Sequence, residues 1–174
     1  MCSKKRRSGA AGDVAAVILE PTGGHFGVVP IAHGFLEALR AATSQAGALL
    51  IFDEVVTGFG RLGSMFGSEH YGLKPDLISI AKGLTSAYAP LSGSIVSENV
   101  WKVLEEGTDR FGPFGHGWTY SAHPICAAAG VANLKLIDSL GLVANAGKVG
   151  AYFNRAMRDS LSGHRNVGEV RGEG

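Results

Sequence analysis

The sequence has little of several things that mark whole classes of protein. Only two cysteines, Cys2 and Cys126, occur in 174 residues; they make neither a disulfide framework nor a paired metal-ligand spacing, and a reducing, cytoplasmic setting is expected. Six histidines, at 25, 33, 70, 116, 123 and 164, lack an HxxxH or HExxH spacing, so no metal site is expected. No apolar run reaches the roughly 20 residues that cross a bilayer, and no membrane partner is expected. Neither sign of charge dominates: 16 Lys and Arg face 15 Asp and Glu, for a net +1, which argues against a nucleic-acid partner. The one basic cluster, Lys4–Arg7, is followed by Gly9, Gly12 and Asp13 instead of the apolar stretch of a signal peptide, so residues 1–12 read as a disordered basic leader.

What is present suits a globular core. The chain is 45% hydrophobic and 18% charged, enough to bury an interior at this length. Glycine is abundant, 26 of 174, but follows no fixed period, which favours tight turns over a fibrous repeat or a linker.

The apolar runs alternate with helical patterns. Asp13–Glu20, Ala48–Asp53, Leu77–Ala81 and Leu91–Val96 are short, apolar and bounded by Gly, Pro or charge, as buried strands are; the last is expected to return along the sheet. From Pro30 the pattern turns helical, with Ile31, Phe35, Leu36 and Leu39 on one face, which makes a βαβ unit and a parallel sheet. Ser97 reads as the N-cap of a short helix carrying Val100, Trp101 and Leu104 and closed by Gly107. A small-residue helix over 123–139 is expected to pack through Ala127, Ala128, Ala129, Gly130 and Ala132 and to end at Gly141. A further helix, Leu142–Leu161, places Val143, Val149, Phe153 and Met157 at helical spacing. The fold class is therefore α/β, a mostly parallel sheet with helices on both faces.

Chemistry concentrates at two strand ends. Ala48–Phe52 stops at Asp53-Glu54, five glycines follow (58, 60, 63, 67, 72), and Leu77–Ala81 stops at Lys82. Ligands of open α/β sheets sit beyond the carboxyl ends of such strands, so Asp53 and Lys82 are expected to face one crevice. Pyridoxal phosphate asks for these groups: an amine for its Schiff base and an anion to keep the pyridine nitrogen protonated. Val55 shares the face of Asp53 and could lie flat on such a ring. Spacing alone favours a plainer reading, in which Asp53 caps a loop and Lys82 is a solvated lysine. Likewise Glu20, before a Gly-rich turn, reads equally as a carboxylate closing its own loop. The segment Phe114–Gly130, FGHGWTYSAHPICAAAG, brings hydroxyls ahead of a helix, which suits a phosphate or simply an N-cap.

The stretch LLIFDEVVTGFGRLGSMFGSEHYGLKPDLISIAKG resembles the signature of the class III (omega-type) aminotransferases, pyridoxal-phosphate enzymes of fold type I. It has their DEV strand end (Asp53-Glu54-Val55), TGFGR loop (Thr57–Arg61), Phe66, Glu69-His70, Gly72, Pro75-Asp76 and Ala81-Lys82-Gly83. The resemblance implies that Lys82 carries the cofactor as an internal aldimine, that Asp53 partners the pyridinium nitrogen and that Val55 packs on the ring. It also implies that Thr119 binds the phosphate of a neighbouring subunit in a homodimer. Glu20 and Trp118 are then substrate-proximal, Arg171 is structural, and GWTYSAHP is most similar to the transaminases of omega-amino acids or amines with pyruvate. The expected partners are a small-molecule amino donor and a keto acid acceptor; aminomutases and a decarboxylase also belong to the family. Departing from the glycine-rich run of many relatives, Thr85, Ser86, Ala87 and Tyr88 follow the lysine.

Relatives are more than twice this long. The expected domains are the leader 1–12, a partial cofactor-binding large domain over 13–163, and the start of a truncated small domain over 164–174, where Val167–Gly174 opens a strand in relatives. A catalytically inactive fragment of such an enzyme is the alternative expectation.

Overall fold

A computed structural model describes residues 14–24, 27–29, 31–32 and 34–174. The leader, Cys2, Asp13, His25, Pro30 and His33 lie outside them. The elements in order are β1 (Ala16–Leu19), α1 (Phe35–Ala46), β2 (Leu49–Asp53), α2 (Gly67–His70), β3 (Leu77–Ile80), β4 (Gly93–Val96), α3 (Glu98–Phe111), α4 (Pro124–Ser139) and α5 (Leu142–Leu161). The sheet runs β1-β2-β3-β4; the first three strands are parallel and β4 returns antiparallel to β3. The mostly parallel α/β sheet read from the sequence is therefore present.

Strand alternation divides the sheet into two faces. Leu50 and Phe52 are fully buried and, with Leu36 of α1, form the core against which Leu19, Ile31, Leu39, Tyr71 and Leu73 pack. Burying one such side chain contributes about 1.5–3 kcal/mol, so this face fixes the register of β2. The opposite face, which carries Ile18, Leu49, Ile51 and Asp53, is more open: Ile18 is 61% exposed. Asp76 ties sheet and helix together, because its Oδ2 accepts the Leu50 amide (2.8 Å) and pairs with Arg40 of α1 (2.8 Å).

Four helices differ from expectation, each for a local reason. α1 starts at Phe35, because Gly34 sits at φ 78°, a left-handed residue that cannot continue a right-handed turn. α3 runs through Gly107 to Phe111 and stops at Gly112, φ 85°. Gly107 lies one turn beyond Val100 and Leu104 on the half-buried stripe, and one glycine costs a helix interior only about 1 kcal/mol relative to alanine, so α3 continues through it. In α4 the inward residues are Cys126, Ala129, Gly130, Asn133 and Ile137, so Ala127, Ala128 and Ala132 face out. In α5, Val143, Gly147, Gly150, Asn154 and Met157 turn inward, whereas Val149 and Phe153 are exposed. Close approach explains the choice: a Cβ on Gly63 would stand 2.8 Å from Gly147 Cα.

Residues 164–174 form no helix or strand and are held by side chains. Arg171 donates to Gly27 O (2.8 Å) and pairs with Glu169. Glu173 accepts from Tyr71 Oη (2.7 Å) and Thr22 Oγ1 (3.3 Å) and bonds His70 Nε2 (2.8 Å). Burial, helped by the Glu173 carboxylate and opposed by the Thr22 bond, pushes the Tyr71 hydroxyl up from 10.0 to about 12. Burial opposes charge on Glu173 too, but the bonds from Tyr71, His70 and Thr22 prevail and hold its carboxyl below its ordinary range. A raised folded-state pKa gives stability that is complete below the unfolded value and lost as pH rises through the folded one. Tyr71 thus contributes in full below pH 10 and ceases to as pH passes about 12; Glu173, lowered, contributes above the ordinary Glu value of about 4.3 and is lost in acid. Thermal unfolding against pH is expected to show a loss between pH 10 and 12 that Tyr71→Phe flattens. An equal loss in the variant would refute the assignment.

Candidate functional site

The site is built where β2 and β3 end. Asp53, the last residue of β2, is in register with Ser79, and Ser79 with Ser94 of β4. Residues in register across a sheet point to the same side, so Asp53, Ser79 and Ser94 form one polar row. Ser79 and Ser94 line a cavity of about 460 Å³ together with Val55, Ile80, Ser92, Gly93, His116, Gly117, Trp118 and Ser121. Val55 and Trp118, 63 positions apart in the sequence, are thereby brought to one space. Asp53 borders it through Ser79; its Oδ1 accepts the Val55 amide at 3.1 Å, so this carboxylate does cap its own loop, which aims Val55.

Lys82 stands two residues beyond the cavity-lining Ile80, in a 3-10 turn over Lys82–Leu84, and is exposed. Its φ is 42°, a left-handed conformation that costs a non-glycine residue on the order of 1–3 kcal/mol. Backbone bonds close the turn: the amides of Thr85 and Ala87 both reach Lys82 O, at 3.2 and 3.3 Å. The substituted run after it keeps the left-handed shape, with Ser86 at φ 50° and Ala87 at φ 63°.

The remaining candidates are placed less closely. Glu20 Oε2 accepts the Gly24 amide at 3.0 Å, so it does close its own turn; that turn abuts the segment after β2, since a Cβ on Gly24 would meet Val56 Cγ1 at 3.0 Å. Thr119 is exposed and outside the cavity lining. Trp118 is 75% exposed, its amide bonded to Ser121 Oγ (2.9 Å) and its ring edge-on to His116. Phe114 and Tyr120 are also largely exposed. Among the described residues, no group of three or more His, Cys, Asp or Glu is gathered as a metal would need.

Sequence reasoning missed Glu54. Alternation sends it to the side opposite Asp53, and it is fully buried. It accepts bonds from Thr57 Oγ1 (2.6 Å), Gly67 N (2.6 Å) and Ser68 N (2.7 Å). Stranding a buried donor costs about 1–3 kcal/mol, so Glu54 holds the glycine-rich loop in shape while Asp53 is left to the cavity. Ser79 and Ser94 were also missed. Serine inside each apolar run, Ser79 in one and Ser92 and Ser94 in the other, was the signal, legible only once the strands are set in register.

A pyridoxal phosphate fits these residues: an anion on the cavity face, an apolar side chain at Val55, an amine just past the next strand, and hydroxyls at Ser92, Ser94 and Ser121. The profile of "Aminotransferase class-III" matches residues 4–174. A diaminobutyrate–2-oxoglutarate transaminase of Halomonas elongata is 56% identical over 92% of this chain and 34% of its own. An omega-aminotransferase of Caulobacter vibrioides is 44% identical over 94% of this chain and 37% of its own. Among solved structures, a thermostable (S)-enantioselective omega-transaminase from Thermomicrobium roseum superposes with a TM-score of 0.88 at 43% identity, covering 94% of this chain and 36% of that one. The chain spans about a third of the length of such relatives.

Proposed function

Because this chain belongs to the class III aminotransferases, we propose that it forms the cofactor-holding core of an enzyme that moves an amino group from an omega-amino acid or amine to a keto acid such as pyruvate. The observation that carries the reading is the register of β2 with β3, which sets Asp53 on the face of the cavity and Lys82 just beyond the neighbouring strand. Pyridoxal phosphate, when bound, would supply an electron sink. Lys82 would hold it covalently and move a proton on its Nζ; Asp53 would keep the ring nitrogen protonated, and Val55 would press on the ring. Thr119 would serve the phosphate of a second copy, and the exposed Phe114, Trp118 and Tyr120 suit such an interface better than water. The names of the relatives, a diaminobutyrate transaminase and an omega-transaminase, favour a donor with a terminal amine. Glu20 and Trp118 would stand near that donor.

A second reading is favoured by the open sheet face, where Ile18 is 61% exposed: the 174-residue polypeptide by itself is catalytically silent. One experiment separates the two. The protein is incubated with pyridoxal phosphate, pyruvate and a panel of amines, alanine is measured, and borohydride reduction fixes the cofactor to its lysine for peptide mapping. Cofactor-dependent alanine supports the first reading, and label on Lys82 without alanine the second. Label confined to another lysine overturns both; carbon dioxide or a shifted amino group in place of alanine points to a decarboxylase or an aminomutase.

A further inference from the structure

The turn that carries Lys82 is braced from outside itself. Lys82, Ser86 and Ala87 all hold left-handed φ values without being glycine, so local preference works against the turn. The opposing contacts come from α4. Asn133 Nδ2 donates to both Gly83 O (2.8 Å) and Leu84 O (3.1 Å), while its Oδ1 accepts from Ser86 Oγ (2.7 Å). One turn earlier on the same face, Gly130 lets the helix close in: a Cβ there would meet Leu91 Cδ2 at 3.0 Å and lie 3.9 Å from Leu84 O. The far side of the turn is fixed too, because Gly83 lies against Phe59 and Thr85 Oγ1 donates to Ala89 O at 2.7 Å. One amide thus satisfies two carbonyls and one hydroxyl of a strained six-residue loop. Its oxygen and its nitrogen are both used, in an orientation that an isosteric carboxylate cannot reproduce.

We propose that Asn133 is a positioning residue for Lys82, its side-chain amide holding the strained 82–87 turn against α4 so that the lysine amine is presented to the cofactor. The inference rests on the function proposed above, but the brace can be measured apart from it. In hydrogen–deuterium exchange, the Thr85 and Ala87 amides, which bond Lys82 O, are expected to exchange on the order of tenfold faster in Asn133→Ala than in the parent, because the hydrogen bonds of Asn133 to the turn are lost. Amides of β2 and α1 should be unchanged. Asn133→Asp, which keeps the shape but loses both donors, should behave like Asn133→Ala. Adding Ala87→Gly to Asn133→Ala should restore protection, since glycine holds that φ without strain.

The second readout is the initial rate at which subsaturating pyridoxal phosphate is fixed to Lys82 by borohydride. It is expected to fall several-fold in Asn133→Ala and Asn133→Asp and to recover with Ala87→Gly. Unchanged exchange in the turn, or an unchanged rate of Lys82 labelling beside faster exchange, overturns the proposal, as does an Asn133→Asp variant that behaves like the parent. If the parent protein labels at a lysine other than Lys82, the functional reading fails, and with it the presentation of the amine, whereas the exchange result still decides the brace.

Discussion

Lys82→Ala is expected to abolish covalent retention of pyridoxal phosphate and to lower alanine formation by on the order of a thousandfold or more, as loss of an enzyme's own nucleophile does. The variant should fold. Lys82 is exposed, and the bonds that close its turn run from backbone amides to Lys82 O, which alanine also provides. Alanine at φ 42° carries about the same backbone strain as lysine. Lys82→Arg sharpens the test, because it keeps a positive charge but cannot form the covalent bond. If the lysine acted as a counter-charge alone, arginine would retain much of the activity; if it acts as the nucleophile, arginine should be as inactive as alanine. Cofactor still fixed by borohydride in Lys82→Ala, with alanine released at the parent rate, would remove Lys82 from the site.

Asp53→Asn should give the second large effect, a loss in kcat of about a hundredfold, or about 3 kcal/mol, typical of removing one well-placed electrostatic contact. Geometry makes the substitution clean. The amide oxygen of asparagine can still accept the Val55 N–H that now reaches Asp53 Oδ1 at 3.1 Å, so the loop after β2 and the direction of Val55 should survive. What disappears is the charge on the row shared with Ser79 and Ser94. Cofactor should therefore still attach to Lys82 while turnover falls with little change in KM. Full turnover in Asp53→Asn would reduce Asp53 to the loop cap that spacing alone suggested.

The contrast between Asp53 and Glu54 shows how far the sequence could be read. Adjacent acidic residues at a strand end are chemically alike. Alternation says that they diverge, but only the packing of Phe52 against α1 decides which one goes to the interior. Glu54 follows Phe52 inward and spends its oxygens on Thr57, Gly67 and Ser68; Asp53 is left on the open face. The helices were legible in type and less so in detail. Gly107 looked like a stop because glycine is a poor helix former, yet the cost of one glycine, about 1 kcal/mol, is too small to end α3, which runs on to Phe111. Likewise Ala127, Ala128 and Ala132 looked like packing residues because they are small, whereas the helical period turns them outward.

The sequence by itself determined the strands, their parallel order up to the returning β4, the two strand ends where a carboxylate and an amine emerge, and the family to which these residues belong. Those are local matters of apolar period, turn residues and motif spacing. The tertiary structure alone decided that Asp53 aligns with Ser79 and Ser94, that Val55 and Trp118 share a cavity, and that Asn133 reaches back across 50 residues to the turn of Lys82. Register and helix docking are settled by the joint burial of residues far apart in the chain, and no window of sequence contains both partners of such a contact.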